Sequence, residues 1–159
     1  MHKIFFIITV WAISFNAQAQ KFHDISIKKE PILSLANNSD VFLIKLKAST
    51  LEPADEEIIL ECWTEEIFNK PKVLDGNTYN KVLTKYKINK REEEYVIIQS
   101  IAYNSEGNVI YNYNFNEFDY KGAIPDSFGA KLIEEVSLIY EMEMFVKIKG
   151  KQEEEEKKD

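Results

Sequence analysis

Three stretches in the middle of the chain, 79–88, 95–103 and 108–115, carry strand patterning and are separated by turn signals, which commits this region to antiparallel sheet. Asp75-Gly76 precedes the first, a pair suited to a tight turn because both residues tolerate positive φ. Ser105, Glu106 and Gly107 join the last two as a hairpin loop. In the third run Val109, Tyr111, Tyr113 and Phe115 point one way and Asn112 and Asn114 the other, so one face reads as core and one as wet. The middle run is apolar on both sides, Val96 and Ile98 against Ile97 and Ile101, the pattern of a central strand covered on two faces. Residues 90–94, including Lys90, Arg91 and Glu92, are densely charged and read as an exposed loop.

Upstream, Ile25 and Ile27 alternate with Asp24 and Ser26 as a short strand. Residues 41–48 read as another, with Phe42, Ile44, Leu46 and Ala48 on one face and Lys45 and Lys47 on the other. After Thr50 the period changes. Pro53, Asp55, Glu56 and Glu57 look like a first helical turn, and Ile58, Ile59, Cys62, Trp63 and Ile67 recur at the spacing of a helical stripe. The spacing predicts a helix that lies on the sheet and ends near Asn69, before Pro71. A second helix is announced by Pro125, Asp126 and Ser127, capped by Ser127 or Asp126, with Leu132, Ile133, Val136, Ile139 and Tyr140 as its buried stripe. Residues 142–148 fit either an extension of that helix or a strand, and 151–159, without an apolar residue, read as a disordered tail. The fold class is therefore α+β: an antiparallel sheet of about five or six strands packed against one or two helices, in one domain over 20–150.

The first nineteen residues have the build of a secretory signal: Lys3, an apolar run over 4–15, and Ala17 and Ala19 flanking Gln18. The apolar run is about 12 residues, short of the ~20 that span a bilayer, so the sequence points to export with cleavage before Gln20, to the periplasm, the cell surface or the medium, and not to anchoring. No later stretch approaches spanning length, so no integral membrane segment is expected after cleavage. The net charge of −7 and the lack of a basic face argue against nucleic acid as a partner.

The chemical inventory is thin. A charge-relay site needs a histidine beside a nucleophile and an acid, and beyond the leader the chain has only His23. One histidine and one cysteine do not assemble a zinc site of imidazole and thiolate ligands. The lone Cys62 reads as a small buried hydrophobe, with an intermolecular disulfide or a reactive thiol as the alternatives. No phosphate-cradling glycine pattern or calcium loop is present, so no cofactor or metal is assigned. Carboxylates are plentiful, and a hydrolase built on a pair of them stays open to a structural check. Aromatic residues cluster around the last hairpin, where Tyr103, Tyr111 and Tyr113 fit sheet core, while Phe118 and Tyr120 follow in a segment expected at the surface. Phe118, Tyr120, Lys90, Arg91 and Glu92 are accordingly the candidate partner contacts.

Two stretches resemble the surface-adhesin protein E-like family of small exported bacterial proteins. One is Ile97-Ile98-Gln99-Ser100-Ile101-Ala102-Tyr103-Asn104-Ser105-Glu106-Gly107-Asn108-Val109-Ile110, similar to that family's strand, polar-Gly turn and strand. The other is Ala123-Ile124-Pro125-Asp126-Ser127-Phe128-Gly129-Ala130-Lys131-Leu132-Ile133-Glu134-Glu135-Val136, similar to the proline-serine lead into its terminal helix. The resemblance implies an antiparallel sheet packed with helix, a cell-surface or periplasmic address, and adhesion to a protein partner, with no catalytic residue. It also implies a cysteine near 89–91 and another near the end of the last helix, and neither place holds one here. The sequence thus favours an exported, non-enzymatic binding module, with an accessory subunit of an envelope complex or a small carboxylate hydrolase as the alternatives.

Overall fold

The computed structural model describes residues 22–27, 30–35, 39–51, 57–116 and 119–156. The proposed leader, residues 53–56 and Phe118 lie outside the described residues. The elements in chain order are β1 His23–Ile25, β2 Pro31–Leu35, β3 Ser39–Ala48, β4 Ile59–Leu74, β5 Asn77–Asn89, β6 Glu94–Tyr103, β7 Val109–Asn114, β8 Lys121–Gly122 and α1 Phe128–Glu156. All strand pairs are antiparallel. From β3 to β6 each strand neighbours the next in sequence; β1 and β2 share the free edge of β3, and β7 and β8 share that of β6.

Local chemistry accounts for the turns. Asp75 and Gly76 adopt φ of 49° and 78° and close a two-residue hairpin with Leu74 opposite Asn77, the mirror-image turn whose twist suits flanking strands. In the β6–β7 turn, Asn104 Oδ1 accepts from the backbone N–H groups of Glu106 and Asn108, and Gly107 takes φ 84°. At the start of α1, Ser127 Oγ accepts from the Ala130 N–H and the Ser127 carbonyl accepts from Lys131 N–H, which makes Ser127 the cap.

Residues 59–74 form a strand where helical spacing predicted a helix. Read with period two, Leu60, Cys62 and Thr64 are buried on one face while Glu61, Trp63 and Glu65 alternate on the other. Counting Thr64 as polar hides that alternation, and β-branched and aromatic residues suit a strand placed between two others. Pro71 does not end the element; it falls where the β4–β5 register shifts between Ile67 and Lys72.

The single face expected for residues 41–48 is also revised. A register irregularity between Leu43 and Lys45 reverses the alternation, so Val41 and Leu43 are buried before it, Leu46 and Ala48 after it, and Ile44 is exposed. Of the two readings of 142–148 the helical one holds, and the helix end differs from expectation: α1 carries on through Gly150 and reaches Glu156, where a disordered tail was expected from 151. Glu, Gln and Lys are good helix formers, and one interior glycine costs only about 1 kcal/mol.

The core forms where α1 crosses one face of the sheet. Leu46, Cys62, Tyr86 and Ile97 lie in register across β3 to β6, and Ala48, Leu60, Ile88 and Tyr95 form the next row. Leu132, Ile133, Val136, Tyr140 and Met144 of α1 close over them. Gly129 is needed there, because a Cβ at this position would press into the Tyr95 ring. The opposite face of the sheet carries no helix among the described residues, although Val96, on that side of β6, is buried beside the segment of Phe115 and Tyr120.

Candidate functional site

Trp63 stands near the middle of that open face. Lys45 of β3 and Lys85 of β5 are its direct cross-strand neighbours, and with Lys47 and Glu61 these residues line a shallow recess of about 190 Å³. Strand alternation puts Phe42, Leu83, Ile101 and Tyr103 on the same face, all partly buried, with Ile44 and Ile67 exposed among them. Lys47 pairs with Asp24 at 3.6 Å, Lys81 with Glu65 at 3.5 Å and Lys85 with Glu61 at 3.3 Å. The Lys81 ammonium also lies 4.9 Å from the centre of the Tyr103 ring. The lysine stems cover apolar surface while their charges stay wet, which lets a half-apolar face stand in solvent. Linear reading missed this surface, because the false helix placed Trp63 in the core.

A second recess, of about 510 Å³, lies between the β5–β6 turn and α1. Lys90, Glu93, Glu134, Ser137, Leu138 and Glu141 line it, and Lys90 Nζ pairs with Glu141 at 2.9 Å. Here the carboxylate-hydrolase reading meets a cleft. Glu134 and Glu141 are seven residues apart on the helix, a rise of about 10 Å, against the ~5 Å of a retaining pair and the upper limit of an inverting one. The third carboxylate, Glu93, belongs to the turn, and Glu141 is already engaged by Lys90.

The candidate contacts read from sequence are divided between two corners. Arg91 and Glu92 sit at the exposed tip of the β5–β6 turn, 3.7 Å from each other, with their N–H groups donating to Asn89 Oδ1. Lys90 turns toward α1. Tyr120 lines a separate recess of about 440 Å³ with Tyr95, Val96, Phe115, Asp119 and Lys121. β8 brings the Tyr120 segment to the edge of β6 beside the charged turn, but Lys90 lines the recess against α1 and Tyr120 the other.

The aromatic face of β7 differs from expectation. Val109, Tyr113 and Phe115 are about half exposed. Instead of reaching a core, Tyr111 stacks edge-on to Tyr79 at 5.5 Å and against Tyr113 at 5.3 Å, and Tyr79 meets Phe68 at 5.8 Å. Burial, then the hydrogen bond with Tyr79, pushes the Tyr111 hydroxyl up.

Cys62 has no exposed surface, and burial, with a smaller contribution from Glu61, pushes its thiol up to about 12. It is a packed hydrophobe at neutral pH and not a poised nucleophile. His23 lies on the short edge strand β1 opposite Ala48. Among the described residues no group of three or more His, Cys, Asp or Glu side chains is placed to hold a metal ion, and no helix is long and apolar enough to cross a membrane.

Fold and site together define an α+β protein that, among the described residues, carries one helix on one face of an open antiparallel sheet. A scan against protein-family models and searches of curated proteins and of solved structures find no match to the chain.

Proposed function

We propose that this chain is an exported, non-enzymatic binding module, adhesin-like in role, which meets a protein partner at the cell surface or in the periplasm through the open face of its sheet. The observation that supports this reading is Trp63, held between Lys45 and Lys85 on a face that no helix covers among the described residues. Tryptophan and tyrosine framed by charged groups are the residue types that dominate protein contacts. Lys90, Arg91, Glu92, Phe118 and Tyr120, chosen from loop and aromatic position in the sequence, are the second set of candidate contacts.

Immobilised full-length chain should retain a specific protein from cell-surface or extracellular-matrix extracts. Trp63→Ala and Lys85→Glu should each weaken that capture about tenfold or more, as removal of a central contact does, while far-ultraviolet circular dichroism stays unchanged. Capture indifferent to both substitutions would remove the open face from the reading. Turnover of a glycan or peptide that disappears with Glu134→Gln or Glu141→Gln would overturn the non-enzymatic role altogether.

A further inference from the structure

The outward side of α1 carries a second apolar stripe, opposite the one that packs on the sheet. Leu138, Met142 and Val146 follow one another at intervals of four, and all are more than half exposed, at 51%, 61% and 66%. Phe145 lies beside them and is exposed at 69%. A helix of a lone domain normally turns polar residues to this side. Together these side chains make an apolar patch of the size that marks a contact site.

The order of residues along the stripe points to the occupant. Counting outward from Met142 at the helical steps of four, seven and eleven, the stripe meets Leu138 and Val146, then Glu135 and Lys149, then Lys131 and Glu153. Each step pairs apolar with apolar or opposite charge with opposite charge. The stripe is therefore complementary to itself when reversed. If two copies of α1 lie antiparallel and cross at Met142, Leu138 of each meets Val146 of the other. Glu135 meets Lys149, and Lys131 meets Glu153. A two-fold axis through Met142 generates every one of these contacts twice, as a closed isologous interface requires. Parallel alignment would instead set each of these charges against its own kind.

Two further features agree. The last turn of α1 holds acidic and no basic residues, which sets negative charge against the negative end of the helix dipole. A lysine brought to Glu153 offsets that conflict. Burying the stripe from both copies removes on the order of 1,000 Å² from water, the lower bound for a specific interface.

We infer that the chain forms a homodimer through the outward face of α1, with the two helices antiparallel, crossing at Met142, and their register fixed by the Glu135–Lys149 and Lys131–Glu153 pairs between copies. Since α1 covers one side of its sheet and the dimer forms on the far side of α1, the two open sheet faces point outward from opposite sides of the pair.

The full-length chain should sediment at twice its 18.6 kDa. Glu135→Lys and Lys149→Glu should each raise the dimer dissociation constant at least about tenfold, since each reversal turns two symmetry-related attractions into repulsions. An equimolar mixture of the two single variants should restore the dimer, because every charged pair in the mixed species is again opposite. With copper phenanthroline as oxidant, Met142→Cys should form a covalent dimer, whereas Val73→Cys, an exposed position on the hairpin of β4 and β5, should not. That crosslink separates helix pairing from any clustering through the apolar N-terminus. A monomer at tens of micromolar, or a dimer that neither reversal weakens and that crosslinks equally through both cysteines, overturns the inference. A monomer that floats with phosphatidylcholine–phosphatidylglycerol vesicles would give the stripe to a lipid surface instead.

Discussion

Cys62 shows how position decides the chemistry of a single side chain. Its partners in the row are Leu46 and Tyr86, and α1 closes over them. Removing water from a thiolate is unfavourable, so the folded state holds a proton that the unfolded chain gives up from about pH 9. A raised folded value means that this contribution is complete below pH 9 and is lost as pH rises toward 12, by on the order of a few kcal/mol. Urea midpoints measured from pH 7 to pH 11 should therefore fall, and the fall should be shallower in Cys62→Ala even though that variant starts from a lower stability. Tyr86, pushed up by burial in the same row, should add to the loss at the alkaline end. Thiol reagents should leave Cys62 untouched in native protein and modify it in denaturant; fast native labelling would contradict the burial. The sequence conveyed that Cys62 is apolar in character, but its neighbours come from three other elements.

The same division runs through the elements. Turns are local, and Asp75-Gly76, Ser105 through Gly107, and Ser127 were all legible because a few adjacent residues contain most of the argument, though the Asn104 side chain that closes the second was seen only in the structure. The strand β4 was not. Its apolar residues fit a helical stripe as well as an alternating one, and only pairing with β3 and β5 selects the second. The bulge in β3 is of the same kind, since nothing near Ile44 announces that the alternation will reverse. Gly129 gives a test of how α1 is seated. Alanine is the better helix former by about 1 kcal/mol, so Gly129→Ala would stabilise a free helix. Here the added methyl meets the Tyr95 ring, and overpacking of this kind typically costs about 1–3 kcal/mol. Chemical denaturation should show a net loss of stability, and Gly129→Ala combined with Tyr95→Leu should recover part of it. A stabilised single variant would mean that α1 sits farther from β6.

For the molecule as a whole, α1 carries the burial of the core on one side of the sheet. Leu132, Ile133, Val136, Tyr140 and Met144 are each buried, at roughly 1.5–3 kcal/mol apiece for such side chains. Their sum is comparable with the whole stability of a small domain. A chain that stops after Ile124 should consequently lack cooperative unfolding and amide protection in β3 to β6, as hydrogen exchange would report; persistent protection would show that the sheet stands without α1. The candidate site depends on the same arrangement, because α1 takes one face and leaves Trp63 on the other.

The sequence by itself determined the α+β class, the main turns, the three strands between 79 and 115 and the terminal helix, because each rests on the conformational preferences of neighbouring residues. Tertiary structure alone decided that residues 59–74 are a strand, which face of β3 is buried up to Leu43, and that Trp63 stands on an open surface between two lysines. These outcomes depend on pairing partners tens of residues away, whose competition a local pattern does not record.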